Sequence, residues 1–86
     1  MLEQHKTGAD ITYTDHALER IKYWNLDFEK IEETIKTGII VKDKSNSVNK
    51  QYLKRYFGKE NITYLVVVTY YKYLIEVQTA WPIQGR

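Results

Sequence analysis

The chain has no cysteine. That excludes disulfides and thiolate metal sites, and it makes a reducing compartment, the cytoplasm, the natural setting. One proline and four glycines are too few for a flexible linker, and 86 residues supply one small core with nothing to spare for a second. With two histidines and no carboxylate cluster around either, a catalytic metal is not expected, and nothing else in the chain points to a cofactor. Long hydrophobic runs are missing too. The longest, Tyr64 to Tyr71, is interrupted by Thr69 and is far too short to cross a bilayer, and the N-terminus has no signal-like apolar core. These absences predict one domain over residues 1–86, with a polar tail at 1–9, a folded part from 10 to 83, and no membrane association.

The net charge is only +2, but its distribution is uneven. Between Lys42 and Lys59 stand Lys42, Lys44, Lys50, Lys54, Arg55 and Lys59 against Asp43 alone. Such a run makes either a basic face for a polyanion or a lysine-guarded strand edge.

Thr14 has the chemistry of a helix N-cap, and the spacing predicts a helix over Asp15 to Tyr23 with Ala17, Leu18 and Ile21 inward, ending at Asn25. Asp27 caps a second helix, with Leu26 and Ile31 placed as a hydrophobic staple, Phe28, Ile31 and Ile35 as its stripe, and Gly38 as a left-handed C-cap. After Gly38 the period changes to two. Strands are expected at Ile39 to Val41, Gln51 to Phe57, Ile62 to Tyr71 and Tyr73 to Trp81, with loops at Ser45 to Asn49 and Gly58 to Asn61, a tight turn at Tyr70 to Lys72, and Pro82 as terminator. The fold class is therefore α+β: two N-terminal helices packed on an antiparallel sheet of three or four strands.

Two groups of residues carry candidate chemistry. His16 and Arg20 lie four apart on one helix face, near the positive end of the helix dipole. There a neutral imidazole can take a proton while the guanidinium attracts an anion, a combination that suits a phosphodiester. In the strand at 50–57, Lys50, Tyr52, Lys54 and Tyr56 share one face, whereas Gln51, Leu53, Arg55 and Phe57 share the other, which is the better candidate for the core. Alternating lysine and tyrosine can hold phosphates and stack on bases, as single-stranded nucleic-acid binders do, or can simply pair tyrosines across a half-exposed sheet. Arg55 on the core face needs a partner. Alternation with Ile75 and Val77 points Thr79 inward as a plain strand threonine, with a functional role for its hydroxyl equally open.

His16-Ala-Leu-Glu-Arg-Ile opening a helix, a second helix from Phe28 to Lys36, and Tyr52 to Phe57 followed by Gly58 form the first part of a longer pattern. Tyr64-Leu-Val-Val-Val, Leu74-Ile-Glu-Val and Thr79-Ala-Trp-Pro complete it. Over about residues 11–83 this order resembles the DUF4258 family, which is grouped with RelE/ParE-like toxins and, more broadly, with the barnase, EndoU and colicin-like ribonuclease fold. The resemblance implies a metal-independent endoribonuclease of toxin type, acting on RNA such as ribosome-associated mRNA or tRNA and restrained by a cognate antitoxin or inhibitor protein. It implies His16 as base or acid, Arg20 with Lys54 or Arg55 as a phosphate clamp, and Thr79 as a hydrogen-bond donor. Lys50, Tyr52 and Tyr56 are the expected RNA-binding residues. Two other classes stay open: a non-catalytic nucleic-acid module resting on the lysine and tyrosine ribbon, and a protein-binding component using Trp24, Trp81 and exposed tyrosines.

Overall fold

A computed structural model describes residues 10–42 and 49–86. The expected tail at 1–9 and the loop residues 45–48 lie outside the described residues. In chain order the elements are β1 (Asp10–Tyr13), α1 (Asp15–Trp24), α2 (Phe28–Thr37), β2 (Ile39–Ile40), β3 (Lys50–Phe57), β4 (Ile62–Tyr70) and β5 (Leu74–Gln84). They form an α+β domain with a five-stranded sheet in the order β1-β5-β4-β3-β2.

Both helices begin where their caps place them. The Thr14 hydroxyl accepts the Ala17 N–H at 3.0 Å, and the Asp27 carboxylate accepts the Glu29 N–H at 2.8 Å. The Asp27 carboxyl is held below the usual carboxylate range, chiefly by that backbone hydrogen bond. Asn25 ends α1 in the left-handed conformation, φ 55°. Ala17, Ile21, Leu26 and Ile31 are buried, but Leu18 and Phe28 are exposed, contrary to the expected inward faces. Phe28 instead packs edge-on against Tyr13, with ring centroids 5.1 Å apart.

Gly38 is not a left-handed cap, because its φ is −73°. The position needs glycine for another reason: a Cβ there would strike the carbonyl oxygen of Thr34 and would lie 2.8 Å from that of Lys54. The α2 to β2 connection passes too close to β3 for any side chain.

The sheet departs from the expected antiparallel meander in one strand. β2 to β5 are antiparallel as expected, but β1 pairs in parallel with β5, Asp10 to Tyr13 against Leu74 to Val77, so the sheet is mixed. Ile11 and Tyr13 of β1 pack against the core. The last strand also continues through Pro82 to Gln84 instead of stopping. Beyond Val77 its only strand neighbour among the described residues is β4, so the missing proline N–H is tolerated on the side away from β4.

The helices cover one face only. Leu53, Tyr64, Val66, Val68, Ile75, Val77 and Ala80 meet Ala17, Ile21, Leu26 and Ile31 in one buried cluster. The Tyr64 hydroxyl there accepts the Asp27 N–H at 2.9 Å, tying α2 to β4. The opposite face carries Lys50, Tyr52, Lys54 and Tyr56 on β3, Thr63, Leu65 and Val67 on β4, and Thr79 and Trp81 on β5. Leu65 and Val67 are 8% and 2% exposed although neither α1 nor α2 covers this face, and grooves run along it.

Candidate nucleic-acid interface and active site

A β-bulge in β5 builds the site. Val68 pairs with Val77 and Val67 with Thr79, which leaves Gln78 without an opposite residue. The extra residue reverses the alternation. Val77 and Ala80 both stay buried on the helix side, while Thr79 turns to the open face, correcting its expected inward position. The bulge is braced by the Gln78 side-chain amide, which donates to Thr69 Oγ1 at 3.1 Å and to Glu76 Oε1 at 2.8 Å.

The same bulge anchors α1. The Thr14 N–H donates to the Val77 carbonyl at 3.1 Å, and the Thr14 hydroxyl donates to the Gln78 carbonyl at 3.2 Å. One hydroxyl thus starts the helix and fixes its first turn on the sheet. His16 follows two residues later and is exposed. It joins Thr14, Lys50, Tyr52, Gln78, Thr79, Trp81 and Val67 around a cleft of about 420 Å³. Three elements far apart in sequence meet here: the start of α1, the start of β3 and the bulge of β5. The cleft offers an imidazole, an ammonium, a hydroxyl donor and two aromatic rings over an apolar floor, with no carboxylate in its lining.

Of the expected site residues, His16, Lys50, Tyr52 and Thr79 come together in this cleft, and Arg20, Lys54, Arg55 and Tyr56 do not line it. Arg20 stacks its guanidinium on Tyr23, 4.8 Å from the ring centroid. Its Nε is buried without a hydrogen-bond partner among the described residues. Lys54 and Tyr56 continue the open-face row into a neighbouring groove. Arg55 turns to the helix face, where it pairs with Glu33 at 3.7 Å and lies 4.6 Å from the Phe57 ring centroid. That supplies the partner its position required and directs its charge away from His16.

On the helix side, a separate cavity of about 460 Å³ mixes both signs of charge. Lys30 pairs there with Asp27 and Glu60 at 3.5 and 3.7 Å. Among the described residues, no three His, Asp or Glu side chains group as metal ligands would, and no helix is long and apolar enough to cross a membrane.

The profile of DUF4258, a domain of unknown function, matches residues 13–82. The chain belongs to the DUF4258 family. No curated protein and no solved structure matches it. The matched DUF4258 segment runs from β1 to Pro82 and holds every residue of the cleft.

Gln78 was not among the expected site residues, and Trp81 was expected only as a protein contact. Trp81 had a readable signal, since it alternates with Thr79 and shares its face. Gln78 had none, because nothing in Val-Gln-Thr-Ala distinguishes a bulge from a regular strand.

Proposed function

We propose that this DUF4258 domain is a metal-independent endoribonuclease of toxin type that cuts cytoplasmic RNA by 2′-hydroxyl attack. The observation that carries the reading is the convergence of His16, Lys50, Tyr52 and Thr79 on one cleft free of carboxylates. In this reading His16 takes the proton from the 2′-hydroxyl, whose oxygen attacks phosphorus. The bond from phosphorus to the 5′-oxygen breaks, leaving a 2′,3′-cyclic phosphate and a 5′-hydroxyl end. Lys50 holds the non-bridging oxygens, and Thr79 donates a hydrogen bond to the phosphorane as charge develops. The departing 5′-oxygen takes its proton from Lys50 or Tyr52, the other titratable side chains of the cleft. Tyr52 and Trp81 offer faces for the flanking bases.

Lys50 replaces Lys54 and Arg55 as the phosphate clamp in this scheme, since Arg55 is committed to Glu33. Two helices against one face of the sheet, with the other face open to a polymer, agree with a RelE- or barnase-like affiliation. The reading also includes a partner protein that restrains the enzyme.

The test is cleavage of a mixed RNA pool in excess chelator by the wild type and His16→Ala, with analysis of the product ends. Acid–base catalysis is worth on the order of 10²- to 10⁴-fold, so the variant should be nearly silent. Cleavage undiminished in His16→Ala, or no cleavage by folded wild type, would sink the reading.

A further inference from the structure

A second groove lies on the open face beside the cleft. It measures about 270 Å³ and is lined by Ile39, Lys54, Arg55, Tyr56, Thr63 and Arg86. With the Arg55 guanidinium drawn to Glu33 on the other face, Lys54 and Arg86 are the cationic side chains left to it, and no Asp or Glu side chain lines it. Neither Lys54 nor Arg86 has an ion-pair partner among the described residues.

A chain of bonds that begins at the turn after β3 fixes the backbone up to Gly85, the residue before Arg86. Asn61 adopts the left-handed conformation at φ 57°. Its carboxamide oxygen accepts the Tyr56 hydroxyl at 2.7 Å, and its backbone carbonyl accepts the Gly85 N–H at 2.8 Å and the Gln84 side-chain amide at 2.9 Å. The Thr63 hydroxyl donates to the Gly85 carbonyl at 2.6 Å, and Gly85 takes φ +79°, a conformation glycine adopts without strain. The outcome is a guanidinium stacked 4.3 Å from the centroid of Tyr56. A guanidinium braced over a ring keeps its N–H edges available, and those edges match phosphate oxygens.

We propose that the groove of Lys54, Tyr56 and Arg86 is a second phosphate subsite, which takes a phosphodiester flanking the one bound in the His16 cleft. The ligand is therefore single-stranded RNA laid along β3. This rests on the ribonuclease reading for the identity of the polymer, but the subsite itself is a binding property that does not need His16. Lys50 and Lys54 are four residues apart on one face of one strand, so the two phosphate positions are separated by about 13 Å. A dinucleotide in the cleft does not reach Arg86, whereas an octanucleotide covers both positions.

The experiment uses the full chain carrying His16→Ala, so that RNA stays intact, and measures anisotropy of fluorescein-labelled di- and octauridylate between about 50 and 200 mM salt. The octamer should bind more tightly than the dimer. Adding Lys54→Ala or Arg86→Ala should weaken octamer binding about two- to five-fold, the yield of one exposed charge contact. Each should also lower the salt slope by about 0.7, the value for one phosphate on a single strand. Dimer binding should not change, and Lys36→Ala, an exposed lysine on α2, should alter neither.

Equal octamer binding with and without Lys54 or Arg86, or an equal loss in Lys36→Ala, would overturn the subsite. Wild type that fails to cut RNA while the octamer shows these losses would leave the subsite standing and remove the nuclease reading. Cutting by wild type with no loss in the variants would do the reverse.

Discussion

Deleting Gln78 from the middle of β5 should leave a folded protein. The bulge sets Gln78 and Thr79 against Val67 alone, so Gln78 is surplus to the pairing. Without it, Val77, Thr79 and Ala80 become consecutive opposite Val68, Val67 and Val66, and the ladder is regular. Val77 and Ala80 remain inward and Thr79 outward. Three hydrogen bonds are lost: two from the Gln78 side chain, at 3.1 and 2.8 Å, and one from Thr14 to the Gln78 carbonyl, at 3.2 Å. All three are partly exposed, so each is worth toward the lower end of about 0.5–1.5 kcal/mol, and the sum is about 2 kcal/mol. In a domain of this size that lowers Tm by roughly 8–16 °C.

Deleting Val67 is the contrasting perturbation. Val66 and Val68, both fully buried, become neighbours, and one must leave the core together with every residue on its side of the deletion. At about 1.5–3 kcal/mol per displaced large side chain, the loss exceeds the roughly 5 kcal/mol that marginal domains possess. Circular dichroism with thermal and urea denaturation separates the two variants. A Gln78 deletion that unfolds like the Val67 deletion would refute the claim that the bulge residue is dispensable to the sheet. RNA cleavage by a folded Gln78 deletion should nevertheless fall, because one of the two bonds by which Thr14 anchors the first turn of α1 to β5, the one from its hydroxyl, is gone.

Two further substitutions probe the core. The Tyr13 hydroxyl is buried with no hydrogen-bond partner among the described residues, so Tyr13→Phe should keep the packing on Phe28 and raise stability by about 0.5–1 kcal/mol in urea titrations; a loss would show that the hydroxyl is satisfied. Burial, and secondarily the Glu32 carboxylate, push the Tyr13 phenol up to about 12. The native state therefore keeps its proton after an unfolded chain, titrating near 10, has lost it. The stability associated with that shift is complete below about pH 10 and declines as pH rises to about 12, a decline Tyr13→Phe should shrink when urea midpoints are followed with pH. Gly38→Ala should cost about 1–3 kcal/mol through overlap with the Thr34 and Lys54 carbonyls, although its φ of −73° suits alanine; a Tm unchanged from wild type would contradict the close approach.

What could be read in advance divides by the range of the interaction. Thr14 and Asp27 cap their helices through bonds to residues two or three positions on, and the face of Lys50, Tyr52, Lys54 and Tyr56 follows from alternation within one strand. Such features are written locally. β1 was not legible, because four residues, Asp-Ile-Thr-Tyr, become a strand only by pairing with Leu74 to Val77 at the other end of the chain. Pro82 and Gly38 were misread for a related reason: the strand pairing that tolerates one and the carbonyls that require the other belong to distant segments.

The candidate site lay at the boundary between these cases. Its residue types were visible in the sequence, but their meeting depends on β1 docking beside β5, on Thr14 reaching Gln78, and on one unpaired residue that changes the phase of the last strand. With Gln78 present but paired regularly, Thr79 would follow Ile75 and Val77 inward, Ala80 would turn outward, and the cleft would lose its hydroxyl. Deleting Gln78 keeps Val77 and Ala80 inward and Thr79 outward, so what the extra residue itself adds is the carbonyl that accepts the Thr14 hydroxyl and the side chain that braces Thr69 and Glu76.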